Sequence, residues 1–138
     1  MLTLARTALR PPEPDDRSAA LVDYLRATVL TPPALHERGH AIFVDAHGAC
    51  LGEAAFGMGA MSKLTVRMRA LFGEALRVNA AGMILAHNHP SGQCHPSACD
   101  IDATRRLQEV ARALDIRLID HLIFTARDVY SMRAGGML

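Results

Sequence analysis

The spacing of apolar positions along the chain predicts three helices. Residues 19–30 follow Ser18, a residue type that caps helices, and their apolar side chains recur at intervals of three and four. The segment 62–78 repeats this pattern, as does the segment that begins at Ser97 and ends near residue 114. The positions expected to face the core are Leu21, Tyr24, Leu25 and Val29 in the first helix, Met68, Leu71, Phe72, Ala75 and Leu76 in the second, and Ile101, Leu107, Val110, Ala111 and Leu114 in the third.

Short apolar runs predict the strands. The runs at residues 40–45 and 50–56 are separated by a short glycine-containing turn, as the strands of an antiparallel hairpin are. Residues 80–86 are apolar and bounded by polar segments, which is typical of a strand buried on both faces. A further strand is predicted at 117–125 and a short one at 129–132. After the first helix, the order β-β-α-β-α-β indicates a mixed α/β domain in which helices cover a central sheet.

Proline, glycine and charge mark the connections between these elements. Residues 6–17 are expected to form an exposed lead-in, prolines stop the first helix at residues 31–33, and residues 57–60 are predicted to form a glycine-rich loop. We therefore divide the chain into an N-terminal lead-in and helix, residues 1–36, and a principal domain, residues 37–138.

Composition and charge narrow the class of protein. The chain has 138 residues and is 50% hydrophobic, which suits one compact domain. Its 15 Lys and Arg residues nearly balance its 14 Asp and Glu residues, so it lacks the concentrated positive charge typical of duplex-DNA-binding proteins. Arginines interrupt the N-terminal apolar residues, and no apolar run reaches the roughly 20 residues needed to cross a bilayer. With only three cysteines, these features favour a cytoplasmic protein without membrane contact.

Two histidines and an aspartate form a candidate metal site. His87 and His89 lie at the end of the buried strand, two residues apart, so their side chains point to the same side. Asp100 falls in the first turn of the next helix, where the helix dipole favours a carboxylate. Such a donor set is typical of catalytic zinc, which keeps a fourth position for water. Ser97 and Asp100 also fit a helix capping box, and a lone buried histidine is commonly a hydrogen-bonded core residue. The joint spacing favours a metal site, and the capping and metal roles can coexist.

The motif resembles that of a known family. The string HNH at residues 87–89, followed after seven residues by SACD at 97–100, matches the JAMM metalloprotease motif of the JAB/MPN superfamily. The run ALRVNAAGMILAHNHPSG at 75–92 and the string LIDHLIF at 118–124 closely resemble the RadC branch, the DNA repair protein RadC family. The resemblance extends over about residues 43–131. It implies the JAB/MPN fold, a cytidine-deaminase-like sandwich whose central mixed β-sheet is flanked by helices.

The resemblance also implies roles for individual residues. The implied ligands, for one Zn²⁺ per chain, are His87, His89 and Asp100. Ser97 would help hold the developing oxyanion, and a glutamate on an earlier strand would act as general base. We assign that role to Glu53, the only acidic residue in the stretch 46–73, although a one-residue slip of the strand would turn it to the opposite face. Asp120 and His121 match the family pattern, and they either supply hydrogen bonds to the ligands or form a simple buried polar pair.

The sequence also departs from the family pattern. Gly59 and Ala60 stand where RadC proteins usually have Gly-Thr. No helix-hairpin-helix signature precedes the principal domain, so the association of the family with DNA repair gains no support. We therefore expect a peptide or protein substrate, and the near-neutral charge does not favour a nucleic-acid partner.

Several alternatives remain open at this point. Cys94, His95 and Cys99 lie in the metal loop and could complete a structural Cys/His zinc site with a motif histidine. The string HNH also names a nuclease family, but the residues of that motif are spread over a larger unit. The favoured function is zinc-dependent hydrolysis of an amide or isopeptide bond. The alternatives are a non-catalytic DNA- or protein-binding module and a metal-dependent nuclease. Neither the substrate nor the oligomeric state is indicated.

Overall fold

The computed structural model of the protein describes residues 14–32, 36–57 and 64–138. In these parts of the chain, a five-stranded mixed sheet is flanked by three helices, which confirms the predicted α/β architecture. The helices are α1, Pro14–Val29; α2, Leu64–Arg77; and α3, Ala98–Ala113. The strands are β1, Arg38–Val44; β2, Cys50–Gly57; β3, Gly82–Asn88; β4, Arg117–Phe124; and β5, Val129–Ser131. No helix within the described ranges is both long and apolar enough to span a membrane.

Strand β3 lies at the centre of the sheet. The strand order is β2-β1-β3-β4-β5, and β1 pairs antiparallel with both β2 and β3. Strands β3 and β4 are parallel, so the chain between them crosses over through α3, as parallel pairs require. In this register His87 of β3 lies opposite Gly39 of β1 and Ile123 of β4. The end of β3 that carries the motif histidines is therefore enclosed by a strand on each side.

Both faces of the central strands are buried. Side chains alternate between the two faces along each strand, so β1 and β3 supply apolar residues to two separate cores. The core beneath α2 and α3 includes Phe43, Met83, Leu85, Leu71, Phe72 and Leu107. The core beneath α1 includes Ile42, Val44, Ile84, Leu25 and Val29. Arg26 of α1 also donates a hydrogen bond of 2.9 Å to the carbonyl oxygen of Thr125, which ties this helix to the end of β4.

The bounds of two elements differ from those predicted. Helix α1 begins at Pro14 instead of after Ser18, because proline is accepted in the first turn of a helix, where an N–H has no partner. Strand β3 lies two residues further along the chain than predicted. The N–H of Ala80 still donates to the carbonyl oxygen of Ala75 at the end of α2, and the pairing of β3 with β4 continues through Asn88. Of the predicted lead-in and glycine loop, residues 6–13 and 58–60 lie outside the described residues.

Three residues predicted to lie in the core are exposed. Tyr24 is 46% exposed, Leu76 is 55% exposed and Leu114 is 37% exposed. Leu114 occupies the C-cap of α3, where the chain leaves the helix and turns toward β4. The apolar spacing of the helix therefore extends one position beyond its last residue, Ala113.

Close packing around Gly39 leads to a prediction about stability. A Cβ atom at Gly39 would overlap the ring of Phe56 on the neighbouring strand. We expect Gly39→Ala to lower the free energy of unfolding by about 1–3 kcal/mol, because the ring must shift in a packed region. Gly73→Ala in α2 is the matched control, since an added Cβ there meets nothing within 4 Å. That control should be stabilising by about 0.5–1 kcal/mol. Urea denaturation followed by circular dichroism measures both changes, and unchanged stability of Gly39→Ala would contradict this account of the packing.

Candidate metal centre

Four potential ligands converge at the end of β3. One ligand atom from each of Glu37, His87, His89 and Asp100 lies within 4.8 Å of the others. Glu37 immediately precedes β1, His87 belongs to β3, His89 follows β3, and Asp100 lies in the first turn of α3. His87 and Asp100 are buried, His89 is half-buried and Glu37 is exposed. The cluster is therefore closed toward the core and open toward solvent.

The structure brings the three predicted ligands together. The Nε2 atoms of His87 and His89 are 3.0 Å apart. The Nε2 atom of His89 lies 2.9 Å from Oδ2 of Asp100, and the Nε2 atom of His87 lies 3.4 Å from Oδ1 of the same carboxylate. Two imidazoles and one carboxylate thus present their ligand atoms to a common point.

A tight turn fixes the orientation of His89. Gly92 donates its backbone N–H to the carbonyl oxygen of His89 at 3.1 Å, with a φ of +88° that favours glycine. The turn brings the carbonyl oxygen of Gln93 to 2.7 Å from Nδ1 of His89. Because a carbonyl oxygen only accepts, Nδ1 carries the hydrogen. In the neutral ring, Nε2 of His89 then presents a lone pair to the cluster.

Asp100 is held by the predicted capping box. The backbone N–H of Ser97 donates to Oδ2 of Asp100 at 2.9 Å, and the N–H of Asp100 donates to Oγ of Ser97 at 3.0 Å. Burial alone would raise the pKa of Asp100, but the neighbouring His87 imidazole and the hydrogen bonds of Ser97 hold this pKa below its ordinary value. Asp100 is therefore negatively charged at neutral pH.

The chemistry of this donor set fits a metal ion. With His89 in this neutral form, its lone pair and the ionised carboxylate of Asp100 can only accept, yet they lie 2.9 Å apart. A cation between them satisfies both groups, and the second imidazole and the carboxylate of Glu37 stand beside them. Imidazole nitrogen and carboxylate oxygen suit divalent transition metals such as zinc. The cluster can therefore bind a metal ion.

Glu37 and the residue that positions it, Asn88, are not among the predicted site residues. The side chain of Asn88 is fully buried and accepts the N–H of Arg38 at 2.6 Å, while its amide donates to the carbonyl oxygen of His36 at 3.2 Å. These two hydrogen bonds hold the backbone on either side of Glu37. Continuing the pairing of Gly39 with His87 by two residues sets Glu37 opposite His89. The available signal was an acidic residue immediately before a strand, β1, that pairs antiparallel with β3.

The structure does not bring Glu53 to the cluster. Glu53 pairs with Ile42, whose side chain packs in the core beneath α1, so Glu53 lies on the face opposite His87. Its carboxylate accepts hydrogen bonds from the Tyr24 hydroxyl at 2.5 Å and from Nε2 of His40 at 2.6 Å. These two hydrogen bonds lower the pKa of Glu53. Glu53 therefore lies on the opposite face of the sheet from the cluster, and its assignment as general base stays a prediction to which this geometry gives no support.

A cleft of about 450 Å³ opens beside the cluster. Prolines and polar side chains line it, among them Glu37, His89 and Ser97. The Oγ atom of Ser97 accepts the N–H of Asp100, and its own hydrogen has no acceptor among the residues that the structure describes. Ser97 therefore presents a hydroxyl donor to the space in front of the cluster.

The predicted pair Asp120 and His121 is divided between the two faces of the sheet. His121 is fully buried beneath α3, and its Nε2 lies 2.7 Å from Nδ1 of His87. Burial holds the pKa of His121 well below its usual range. Asp120 instead accepts the hydroxyl of Ser131 at 2.5 Å and the N–H of Arg133 at 3.0 Å. Only His121 contacts the candidate ligands, and Asp120 organises the connection around β5.

The cysteines of the metal loop do not join the cluster. Cys94 and Cys99 are free thiols, the first half-buried and the second exposed. The His95 ring packs edge-on against Tyr130, with ring centroids 5.6 Å apart. Within the described parts of the chain, no group of three or more potential ligands contains any of these residues. The geometry thus gives no support to a structural Cys/His zinc site.

Comparisons with known proteins identify the family. The family model described as RadC-like JAB domain matches residues 16–137. A UPF0758 protein from Burkholderia thailandensis is 36% identical over 123 residues, which cover 89% of this chain and 46% of the relative. A UPF0758 protein from Pseudomonas fluorescens is 39% identical over 119 residues, which cover 86% of this chain and 52% of the relative. The chain thus spans about half the length of the curated relatives it matches. The extent of the family match shows that this chain belongs to the RadC-like JAB domain family.

Proposed function

We propose that the domain is a zinc-dependent hydrolase that cleaves an amide or isopeptide bond in a peptide or protein. The observation that carries the proposal is the position of Glu37. Its carboxylate lies within 4.8 Å of the ligand atoms of the His87, His89 and Asp100 cluster, on the open side where a substrate can approach. Metal ligands beside an additional carboxylate are the parts that metal-assisted hydrolysis requires.

His87, His89 and Asp100 would hold the ion. Two imidazole nitrogens and one carboxylate leave a fourth tetrahedral position free, which is the arrangement of catalytic zinc sites. A zinc ion bound there would supply Lewis acidity, polarising a carbonyl group and lowering the pKa of a water molecule.

Glu37 and Ser97 would act on the substrate. We assign Glu37 as the general base that accepts a proton from the attacking water and passes it to the leaving amine. The hydrogen bonds of Asn88 on both sides of Glu37 support this role, because a general base must be held in position. The Ser97 hydroxyl, whose oxygen is fixed by the N–H of Asp100, would donate to the carbonyl oxygen as negative charge develops.

The lining of the cleft favours an amide over a phosphodiester substrate. Of the residues that line it, one is a glutamate and none is a lysine or arginine. The chain as a whole carries a net charge of only +1. Phosphate recognition depends on concentrated positive charge, whereas a peptide backbone is bound by neutral donors and acceptors. We therefore propose a peptide or protein partner for this site.

Zinc content and substrate profiling test the proposal together. We expect the purified protein to hold about one zinc per chain by elemental analysis. Zinc at 1,000 times its dissociation constant should add about 4 kcal/mol to the free energy of unfolding. The zinc-loaded protein is then incubated with a random peptide library, with lysine-linked isopeptides and with single- and double-stranded DNA, and products are identified by mass spectrometry and gel analysis.

The outcomes separate the three functions. Cleavage of peptides or isopeptides that is absent in His87→Ala supports the hydrolase. Cleavage of DNA that is likewise absent in this variant would indicate a nuclease, whereas equal cleavage by both proteins would indicate contamination. Bound zinc with no hydrolysis of any substrate would favour a non-catalytic binding module.

A further inference from the structure

A buried chain of three polar side chains extends from the candidate metal ligand into the core. His87 of β3, His121 of β4 and Thr104 of α3 are each fully buried. Nδ1 of His87 lies 2.7 Å from Nε2 of His121, and Nδ1 of His121 lies 2.7 Å from Oγ1 of Thr104. Thr104 is one helical turn beyond Asp100, so the same face of α3 carries both a candidate ligand and the last residue of this hydrogen-bonded series.

One direction of these hydrogen bonds leaves the motif histidines able to bind a metal ion. The Thr104 hydroxyl has the thioether of the buried Met132 as a second acceptor, with Sδ 3.6 Å from Oγ1, so it can donate there and not to His121. A lone pair of Oγ1 is then available for the N–H at Nδ1 of His121. A neutral imidazole has one donor and one acceptor, and a charged imidazole without a carboxylate partner is costly in a fully buried position.

The remaining links are then determined. His121 donates from Nδ1 and therefore accepts at Nε2. Among the residues that the structure describes, the hydrogen offered to this atom is the one on Nδ1 of His87. In the neutral ring, Nε2 of His87 then carries a lone pair, and it faces the cluster 3.4 Å from Oδ1 of Asp100. The opposite direction would place a hydrogen on Nε2 of His87 and block the binding of a metal ion.

We propose that Thr104 and His121 are positioning residues that select the metal-binding tautomer of His87. The proposal rests on the proposed function only in requiring that the cluster binds a metal ion. His89 needs no such chain, because the carbonyl oxygen of Gln93 fixes its tautomer directly. Each motif histidine thus has its own acceptor on the side away from the metal, a backbone carbonyl for one and an imidazole held by Thr104 for the other.

A pair of substitutions at Thr104 tests the proposal through zinc affinity. Thr104→Val keeps the shape of the side chain and removes the hydroxyl, whereas Thr104→Ser keeps the hydroxyl. We expect Thr104→Val to bind zinc about 10–100-fold more weakly than the wild-type protein, and Thr104→Ser to restore most of the affinity. Affinity is measured by competition with a chromophoric zinc chelator, and circular dichroism with thermal unfolding of the zinc-free proteins checks that each variant is folded.

A second measurement needs no variant. Long-range ¹H–¹⁵N spectra of the zinc-loaded wild-type protein report which nitrogen of each imidazole carries the hydrogen, and we expect the hydrogen of His121 on Nδ1. The proposal would be overturned, with the metal site left intact, by either of two results. One is a folded Thr104→Val protein that binds zinc as tightly as the wild type, and the other is a hydrogen on Nε2 of His121. Failure of the wild-type protein to bind zinc would overturn the proposed function as well.

Discussion

Asp100→Asn should weaken zinc binding by more than about 100-fold, which exceeds the loss produced by changing a residue that only supports a ligand. The substitution removes the negative charge of a ligand whose carboxylate lies 2.9 Å from His89 and 3.4 Å from His87. Asparagine keeps an oxygen that can accept the N–H of Ser97, so α3 should remain capped. Elemental analysis after dialysis and competition with a zinc chelator measure the effect.

The controls for this prediction lie on the same helix. Asp102→Asn removes an equal charge two residues away at an exposed position outside the cluster, and it should leave zinc affinity unchanged. Asp100→Ala removes the acceptor of the Ser97 N–H as well as the charge, and it should lose a further ~1 kcal/mol of folding stability. Retention of zinc by a folded Asp100→Asn protein would remove Asp100 from the metal site.

Glu37→Gln should lower the rate of hydrolysis by about 10²–10⁴-fold while zinc remains bound. Glutamine has nearly the same shape as glutamate, but it does not accept a proton from water. The substitution therefore separates an effect on proton transfer from an effect on zinc binding. The measurement is the cleavage rate of the peptides or isopeptides that the wild-type protein cleaves, together with the zinc content of the variant.

Glu53→Gln is the matched control for this substitution. It changes the same group on the opposite face of the sheet, where the carboxylate contacts Tyr24 and His40. We expect it to leave the cleavage rate unchanged. A reversed result, with Glu53→Gln inactive and Glu37→Gln active, would contradict the mechanism, and loss of zinc from Glu37→Gln would make Glu37 a ligand.

The candidate ligands could be predicted because their geometry is local. His87 and His89 are two residues apart at the end of one strand, and Asp100 follows through a short loop into a capped helix turn. Strand periodicity and capping chemistry act over a few residues and are visible in sequence. The same holds for the hairpin of β1 and β2 and for the apolar run of β3.

The position of the additional carboxylate could not be predicted because it depends on pairing between distant strands. Glu37 reaches the cluster only because β1 lies beside β3 with Gly39 opposite His87. Nothing in a single sequence fixes that register. The alternation of side chains along a strand explains why Glu53 and Asp120 do not reach the cluster. Adjacent residues point to opposite faces of the sheet, so Glu53 lies on the face opposite Ala54, and Asp120 lies on the face opposite His121.

The antiparallel pairing of β1 with β3 also affects how the activity of such a domain can evolve. The stretch that holds His87, His89 and Asp100 is continuous in the gene, whereas Glu37 is encoded some fifty codons upstream. A single nucleotide change converts a glutamate codon into a glutamine codon and leaves the stretch with the ligands untouched. On the proposed mechanism, one such change would yield a protein that still binds the metal ion and the substrate but no longer hydrolyses the substrate. A hydrolase and a metal-dependent binding protein of this fold can therefore differ by a single substitution.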